Sequence, residues 1–159
     1  MKVQVRLAAE PFAPDLELAD FVGCLATEGA VVSFVGLVRP HSKDGTPLTS
    51  LFLDHHPRLT ERSLGEIGAA AATEFDVSAI RIVHRCGKMQ PGDPIVFAAA
   101  AATHRRPAFE AADYLMDRLK TDALFWKREE DDTGSRWIEP TGADHADRAR
   151  WERASTCPE

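Results

Sequence analysis

Segments of helical period interrupt pairs of turn-linked strands along this chain, and that order restricts the fold more than any other feature. Val3, Val5 and Leu7 alternate with Lys2, Gln4 and Arg6, the period of two that places one strand face in a core. Pro14 and Asp15 then open a stretch in which Leu18, Phe21, Val22 and Leu25 fall at helical spacing ahead of Gly29. Residues 30–38 are apolar except for Ser33 and Gly36 and rich in valine, which predicts a strand buried on both faces. Lys43-Asp44-Gly45 supplies a polar, mobile turn, after which residues 48–55 return as an antiparallel partner. Leu64, Ile67, Ala71 and Phe75 step by three and four, predicting a helix over 57–75 with Glu61, Arg62 and Glu66 on its wet side.

Strands over 77–85 and 95–103 follow, separated by the turn-forming stretch 87–93. The second is rich in small residues, so a neighbour must pack closely on it. Phe109, Ala112, Leu115, Met116 and Leu119 define a third helix, with Pro107 in its first turn and Lys120 at its end. Residues 125–129, a turn at 131–134 and residues 136–139 form a C-terminal hairpin. The resulting order predicts an α+β fold: a mainly antiparallel sheet, three helices and a C-terminal β-hairpin, in a single domain over residues 1–140. Residues 141–159 read as a polar tail, either a weak helix or disordered.

Composition removes several functional classes. Apolar residues at 44% and charged residues at 28% match an ordinary globular chain rather than a disordered one. A net charge of −6 argues against a duplex nucleic-acid binder, so any anion site must be local. Cys24, Cys86 and Cys157 are odd in number and widely spaced, which excludes a disulfide framework and a Cys-x-x-Cys motif and suits thiols in a reducing cytosol. No run approaches 18 apolar residues, and the N-terminus enters its alternating pattern without a signal-type hydrophobic region. The expectation is a cytoplasmic chain that neither crosses nor binds a membrane.

Chemistry concentrates at the ends of the predicted elements. Arg39 closes one strand, His104-Arg105-Arg106 another, Lys120 a helix, and Lys127-Arg128 lie on the final hairpin. If those ends converge, they form a cationic pocket for a phosphate or a carboxylate-ended peptide, each charge-assisted bond contributing on the order of 1.5–3 kcal/mol. The plain alternative is that each is an ordinary surface charge at an element end. His55-His56 invites a metal reading, but no further ligand falls at familiar spacing and Asp54 alone does not complete a site, so no metal is expected. Phosphate-loop and Gly-x-Ser-x-Gly signatures are missing. Cys86, followed by Gly87, is either a nucleophile or, more commonly for such a residue, a small core side chain.

With Thr103-His104-Arg105, Leu119-Lys120-Thr121 and Phe125-Trp126-Lys127-Arg128-Glu129 in its sequence, the chain resembles, over residues 29–139, the large, catalytic subunit of molybdopterin synthase. The resemblance is carried by Gly29-Ala30-Val31-Val32-Ser33-Phe34-Val35-Gly36-Leu37-Val38-Arg39, by His55-His56-Pro57, and by His84-Arg85 with Gly92-Asp93. Thr103-His104-Arg105 with Ala108-Phe109-Glu110-Ala111, and Met116-Asp117-Arg118-Leu119-Lys120-Thr121 running into Phe125-Trp126-Lys127-Arg128-Glu129, are more specific still. It implies an α/β-hammerhead fold and a sulfurtransferase of molybdenum cofactor biosynthesis. In that family a small ubiquitin-like subunit inserts a Gly-Gly thiocarboxylate tail, and sulfur passes to cyclic pyranopterin monophosphate to build the dithiolene.

It further implies a heterotetramer around a central dimer of large subunits, with no cofactor. Lys120 and Lys127 would be the catalytic residues, and Arg39, His104 and Arg105, with Arg128 and Glu129, would bind substrate. Three positions depart from the family pattern: Leu37 stands where some relatives carry lysine, Leu124 where proline is common, and Pro94 where an acidic residue is usual. Two rival readings use the same basic residues. One is a non-catalytic scaffold that docks the tail of a ubiquitin-like protein; the other is an anion-binding regulatory protein in which Arg39 and Arg105 clamp a phosphate.

Overall fold

The computed structural model describes residues 2–154. In chain order the elements are β1 (Lys2–Ala8), α1 (Pro14–Gly23), β2 (Ala30–Leu37), β3 (Ser50–His55), α2 (Pro57–Glu74), β4 (Ala79–Arg85), β5 (Gly87–Met89), β6 (Pro94–Ala102), α3 (Arg105–Thr121), β7 (Phe125–Asp131), β8 (Gly134–Ile138) and α4 (Gly142–Ala154). The strands divide between two four-stranded sheets, ordered β1-β4-β6-β2 and β5-β3-β7-β8. Every named pairing is antiparallel except β1 with β4, which run parallel from Lys2↔Ala79 to Ala8↔Arg85.

The core forms on both faces of β6. Ala98, Ala100 and Ala102 point into a cluster with Leu64, Ile67, Ala108, Ala111 and Leu115 of α2 and α3, while Ala99 and Ala101 join Phe21 of α1 and Val83. Methyl side chains let the helices approach the strand closely, which is why a run of alanines occupies a position of complete burial. The same economy appears where α2 crosses β1: a Cβ on Gly68 would stand 2.8 Å from Val3 Cγ1.

Several expectations are corrected. The described chain has four helices rather than three, because Gly142–Ala154 folds back on α3. Its own sequence is strongly polar, so tertiary contacts stabilise it more than an apolar stripe does. The Trp151 ring meets Phe75 and Tyr114 edge-on at 5.6 and 5.4 Å, and Arg150 pairs with Asp113 and Asp117. Residues 155–159, including Cys157, lie outside the described residues.

Strand β2 is an edge strand with Phe34 44% and Val35 38% exposed, not one buried on both faces. Its partner is β6, in register Ala30↔Ala102, whereas β3 lies in the second sheet between β5 and β7. Gly87–Met89, expected within a turn, is a short strand, and only the residues after it turn. Phe109, assigned to the apolar face of the third helix, is 58% exposed.

One connection positions the chemistry. Only three residues separate α3 from β7, and they are stapled to α2: Thr60 Oγ1 donates to the Leu124 carbonyl at 2.7 Å, and the Leu124 N–H donates to Ser63 Oγ at 3.2 Å. A proline at 124 would lack that N–H. The leucine therefore supports a tie that keeps the end of α3 beside the start of β7.

Candidate functional site

Beyond Leu37 the chain is held by paired backbone bonds, Val38 N–H to the Asp93 carbonyl and Gly92 N–H to the Val38 carbonyl, both 2.9 Å, which fix the residue before Arg39. The following loop closes on itself, with Leu48 N–H donating to the Pro40 carbonyl and Ser42 N–H to the Thr46 carbonyl. Asp44 at its tip accepts from the Thr46 hydroxyl and from Arg136 of β8 at 3.1 Å. Arg136 also reaches Glu129, which is 6% exposed, at 3.4 Å. The loop expected to be mobile is thus tied by charge to the C-terminal hairpin.

Behind that loop, Arg39, Lys127 and Glu129 line a cavity of about 30 Å³ with Leu37, Leu51 and Ile95. Lys127 also lines an open groove of about 740 Å³, with Asp54, Trp126, Trp137 and Glu139. Burial is the main cause that holds the Lys127 ammonium below the ordinary lysine range; Arg39 and Lys120 push the same way, and Glu129 and Asp144 oppose them. Lys120, at the last turn of α3, is more exposed, with its Nζ 3.7 Å from Asp144 Oδ1. A partly dehydrated lysine among cations can stabilise a developing anion, and it gives up its proton more readily than a lysine in water.

Of the predicted site residues, one chain brings together Arg39, Lys120, Lys127 and Glu129. It does not bring His104, Arg105 and Arg106 to them. His104 immediately precedes the first turn of α3, and Lys120 is fifteen residues beyond Arg105, about 22 Å along a straight helix. Arg128 points to the other face of β7, as alternate strand residues must, where its guanidinium lies over Phe52 and Trp137 at 4.8 and 5.3 Å and pairs with Glu130.

The other candidates have structural partners. His56 caps α2, its Nδ1 accepting from the Leu59 N–H at 3.3 Å, and among the described residues no group of three or more His, Cys, Asp or Glu could hold a metal. Cys86 is buried, its Sγ 3.7 Å from the Ala8 carbonyl, and burial pushes its thiol pKa up, the wrong direction for a nucleophile.

The sequence reading gave Asp44 only a turn role and Arg136 only a hairpin role, and assigned nothing to Asp144. For Asp144 a local signal exists: Thr141-Gly142-Ala143-Asp144 has capping-box spacing, which marks a helix start within the presumed tail. Asp44 and Arg136 carry no such signal, since their pairing spans 92 positions.

A family model described as MoaE protein matches residues 7–122. The "Molybdopterin synthase catalytic subunit" of Caulobacter vibrioides is 44% identical over 149 residues, covering 94% of this chain and 97% of that protein. Among solved structures, the "Molybdopterin biosynthesis MoaE protein" of Burkholderia ambifaria superposes with a TM-score of 0.79 at 36% identity, covering 96% of this chain and 99% of the other. A Helicobacter pylori chain from a "protein-protein complex of subunit 1 and 2 of Molybdopterin-converting factor" shares the fold, with a TM-score of 0.66 at 18% identity, covering 86% and 89% of the two chains. With a family model spanning most of the sequence and near-full-length relatives at this identity, the chain belongs to the MoaE protein family.

Proposed function

We propose that this chain is the catalytic subunit of molybdopterin synthase. It accepts sulfur from the C-terminal thiocarboxylate of a small ubiquitin-like subunit and passes it to cyclic pyranopterin monophosphate. The observation that carries the reading is the gathering of Arg39, Lys120 and Lys127, from a loop, a helix end and a strand, on a protein whose net charge is −6. An anionic tail and an anionic substrate both need such a local reversal of charge.

Lys120 and Lys127 act at the thiocarboxylate and the reacting carbon, where an ammonium offsets the charge that develops on sulfur or oxygen. Arg39 binds the substrate phosphate and pterin, together with His104 and Arg105. Because those two stand about 22 Å along α3 from Lys120, a complete site takes them from a second copy of the chain. That requirement supports a central dimer within a heterotetramer. Arg128 and Glu129 buttress the wall, Glu129 through Arg136. No helix among the described residues is long and apolar enough to cross a membrane. A cytoplasmic setting and the α/β-hammerhead arrangement belong to the same proposal.

The test mixes the purified chain with thiocarboxylated small subunit and cyclic pyranopterin monophosphate, and assays molybdopterin as its fluorescent oxidised derivative. Product should form, and Lys120→Ala or Lys127→Ala should each lower its rate by at least about 100-fold, roughly 3 kcal/mol of transition-state stabilisation. Near-normal turnover in either variant would sink the role of that lysine. A stable complex that yields no product would favour the scaffold reading.

A further inference from the structure

The fourth helix carries a carboxylate into the cationic group. Asp144 lies in the first turn of α4, and its Oδ2 accepts from both the N–H and the hydroxyl of Thr141 at 2.7 Å, the Thr141 hydroxyl in turn accepting from the Asp144 N–H at 3.3 Å. That cap fixes the carboxylate and uses one oxygen. The other oxygen faces Lys120 Nζ at 3.7 Å. A capping-box role alone accounts for Oδ2, and the neutral amide oxygen of an asparagine could accept the same two bonds. It does not account for the direction of Oδ1.

The helix behind the carboxylate is docked firmly where the lysine is. Arg148 Nε pairs with Asp122 at 2.8 Å, two residues beyond Lys120, and the Trp151 indole N–H donates to Asp117 at 2.7 Å. Around Lys127 the charged groups are Arg39 from the loop after β2, Lys120 from α3, Glu129 from its own strand and Asp144 from α4, with Asp54 and Glu139 along the adjoining groove. Asp144 is also within the field of Lys43. Glu129, which also pairs with Arg136, and Asp144 both oppose the cations around Lys127, and Asp144 is the one that faces Lys120 as well.

We propose that Asp144 is a positioning residue for the sulfur transfer, holding Lys120 as an oriented cation and balancing the positive charge around Lys127. This rests on the synthase reading above. It assigns a function to a segment that reads from the sequence only as a polar tail. Without the carboxylate, Lys127 holds its proton less tightly, so any limb of the pH–rate profile that Lys127 governs moves to lower pH, whether the lysine acts as acid or as base.

The experiment compares the wild-type chain with Asp144→Asn, which keeps an acceptor for the cap, and with Asp144→Glu, which keeps the charge. Two readouts are taken: the Lys127 titration in the full chain by ¹³C NMR of its ε-methylene, and the pH dependence of product formation in the assembled complex. In Asp144→Asn both should shift to lower pH, because the carboxylate that favours the charged form of Lys127 is gone. Asp144→Glu should restore most of the wild-type titration. Trp151→Ala, which loosens α4, should shift Lys127 as Asp144→Asn does.

An unmoved Lys127 titration in Asp144→Asn, with a rate that falls equally at every pH, would show a structural cap and overturn the proposal. A wild-type complex that makes no product would overturn the synthase reading and the reaction this residue serves, while the titration decides the charge arrangement separately.

Discussion

The two sheets are held together by different forces. In the first, β4 and the second half of β6 are almost wholly buried, with Ile80, Ile82, Phe97 and Ala98 at 0% exposure, and cohesion comes from apolar area and close packing. In the second, β7 and β8 are half exposed, and their side chains are organised by ion pairs: Arg128 with Glu130, Arg136 with Asp44 and Glu129, and Lys88 with Glu130. Of the residues assigned to chemistry, Arg39, Lys120 and Lys127 lie on or against the second sheet. A charged pocket needs water, room and unpaired capacity, which the alanine-lined layer cannot supply, and the buried sheet serves as a rigid base for it.

The sharpest test of that contrast is in the first sheet. Ile82→Ala should lower unfolding stability by about 4 kcal/mol in denaturant titrations, because a fully buried side chain is removed from a layer with no room to collapse. A loss under about 1 kcal/mol would mean that the layer is more plastic than its packing implies.

A smaller effect is expected at the seam. His84 of β4 is buried and stacks on Phe125 of β7 at 4.3 Å, and burial pulls its pKa down to about 4, with a bond to the Arg85 carbonyl opposing. The unfolded chain, with an ordinary imidazole, then binds more protons between pH 6.5 and 4, so stability is intact above that window and falls as pH drops through it. The full loss is about 3 kcal/mol. His84→Leu should flatten the slope between pH 6.5 and 4.5, and an unchanged slope would show that the seam does not exclude water.

The smallest stability change is expected in the second sheet. Arg136→Ala should lower stability less than either change above, since its pair with Asp44 joins side chains 41% and 59% exposed. Yet it releases the loop that begins at Arg39, so substrate KM should rise several-fold while partner binding holds. A change in stability without a change in KM would detach the loop tie from function.

Legibility differed in the same way between the regions. Helix α2 was predicted over 57–75 and spans Pro57–Glu74, because Leu64, Ile67 and Ala71 repeat at the helical period and bury together. The C-terminal hairpin was equally plain from its turn residues. Strand partners were not: the valine run of β2 reads as central, although a short apolar run carries no mark of which edge it occupies. For the site, residue types pointed to Arg39, Lys120 and Lys127. The length of α3, which keeps His104 and Arg105 from joining them in one chain, was implicit in the predicted helix with Pro107 in its first turn and Lys120 at its end, whereas the convergence of Arg39, Lys120 and Lys127 was visible only in space.

By itself the sequence determined the elements other than β5 and α4, their order, the α+β class and the basic residue types of the candidate site, because periodicity, turn chemistry and charge are local properties read over a few residues. Tertiary structure alone decided that β3 leaves the first sheet for the second, that β1 runs parallel to β4, and that a polar tail becomes a helix placing Asp144 against Lys120. Those outcomes depend on contacts between residues tens of positions apart. Backbone hydrogen-bonding edges are alike in every strand, so the choice among them rests on the packing of the whole chain.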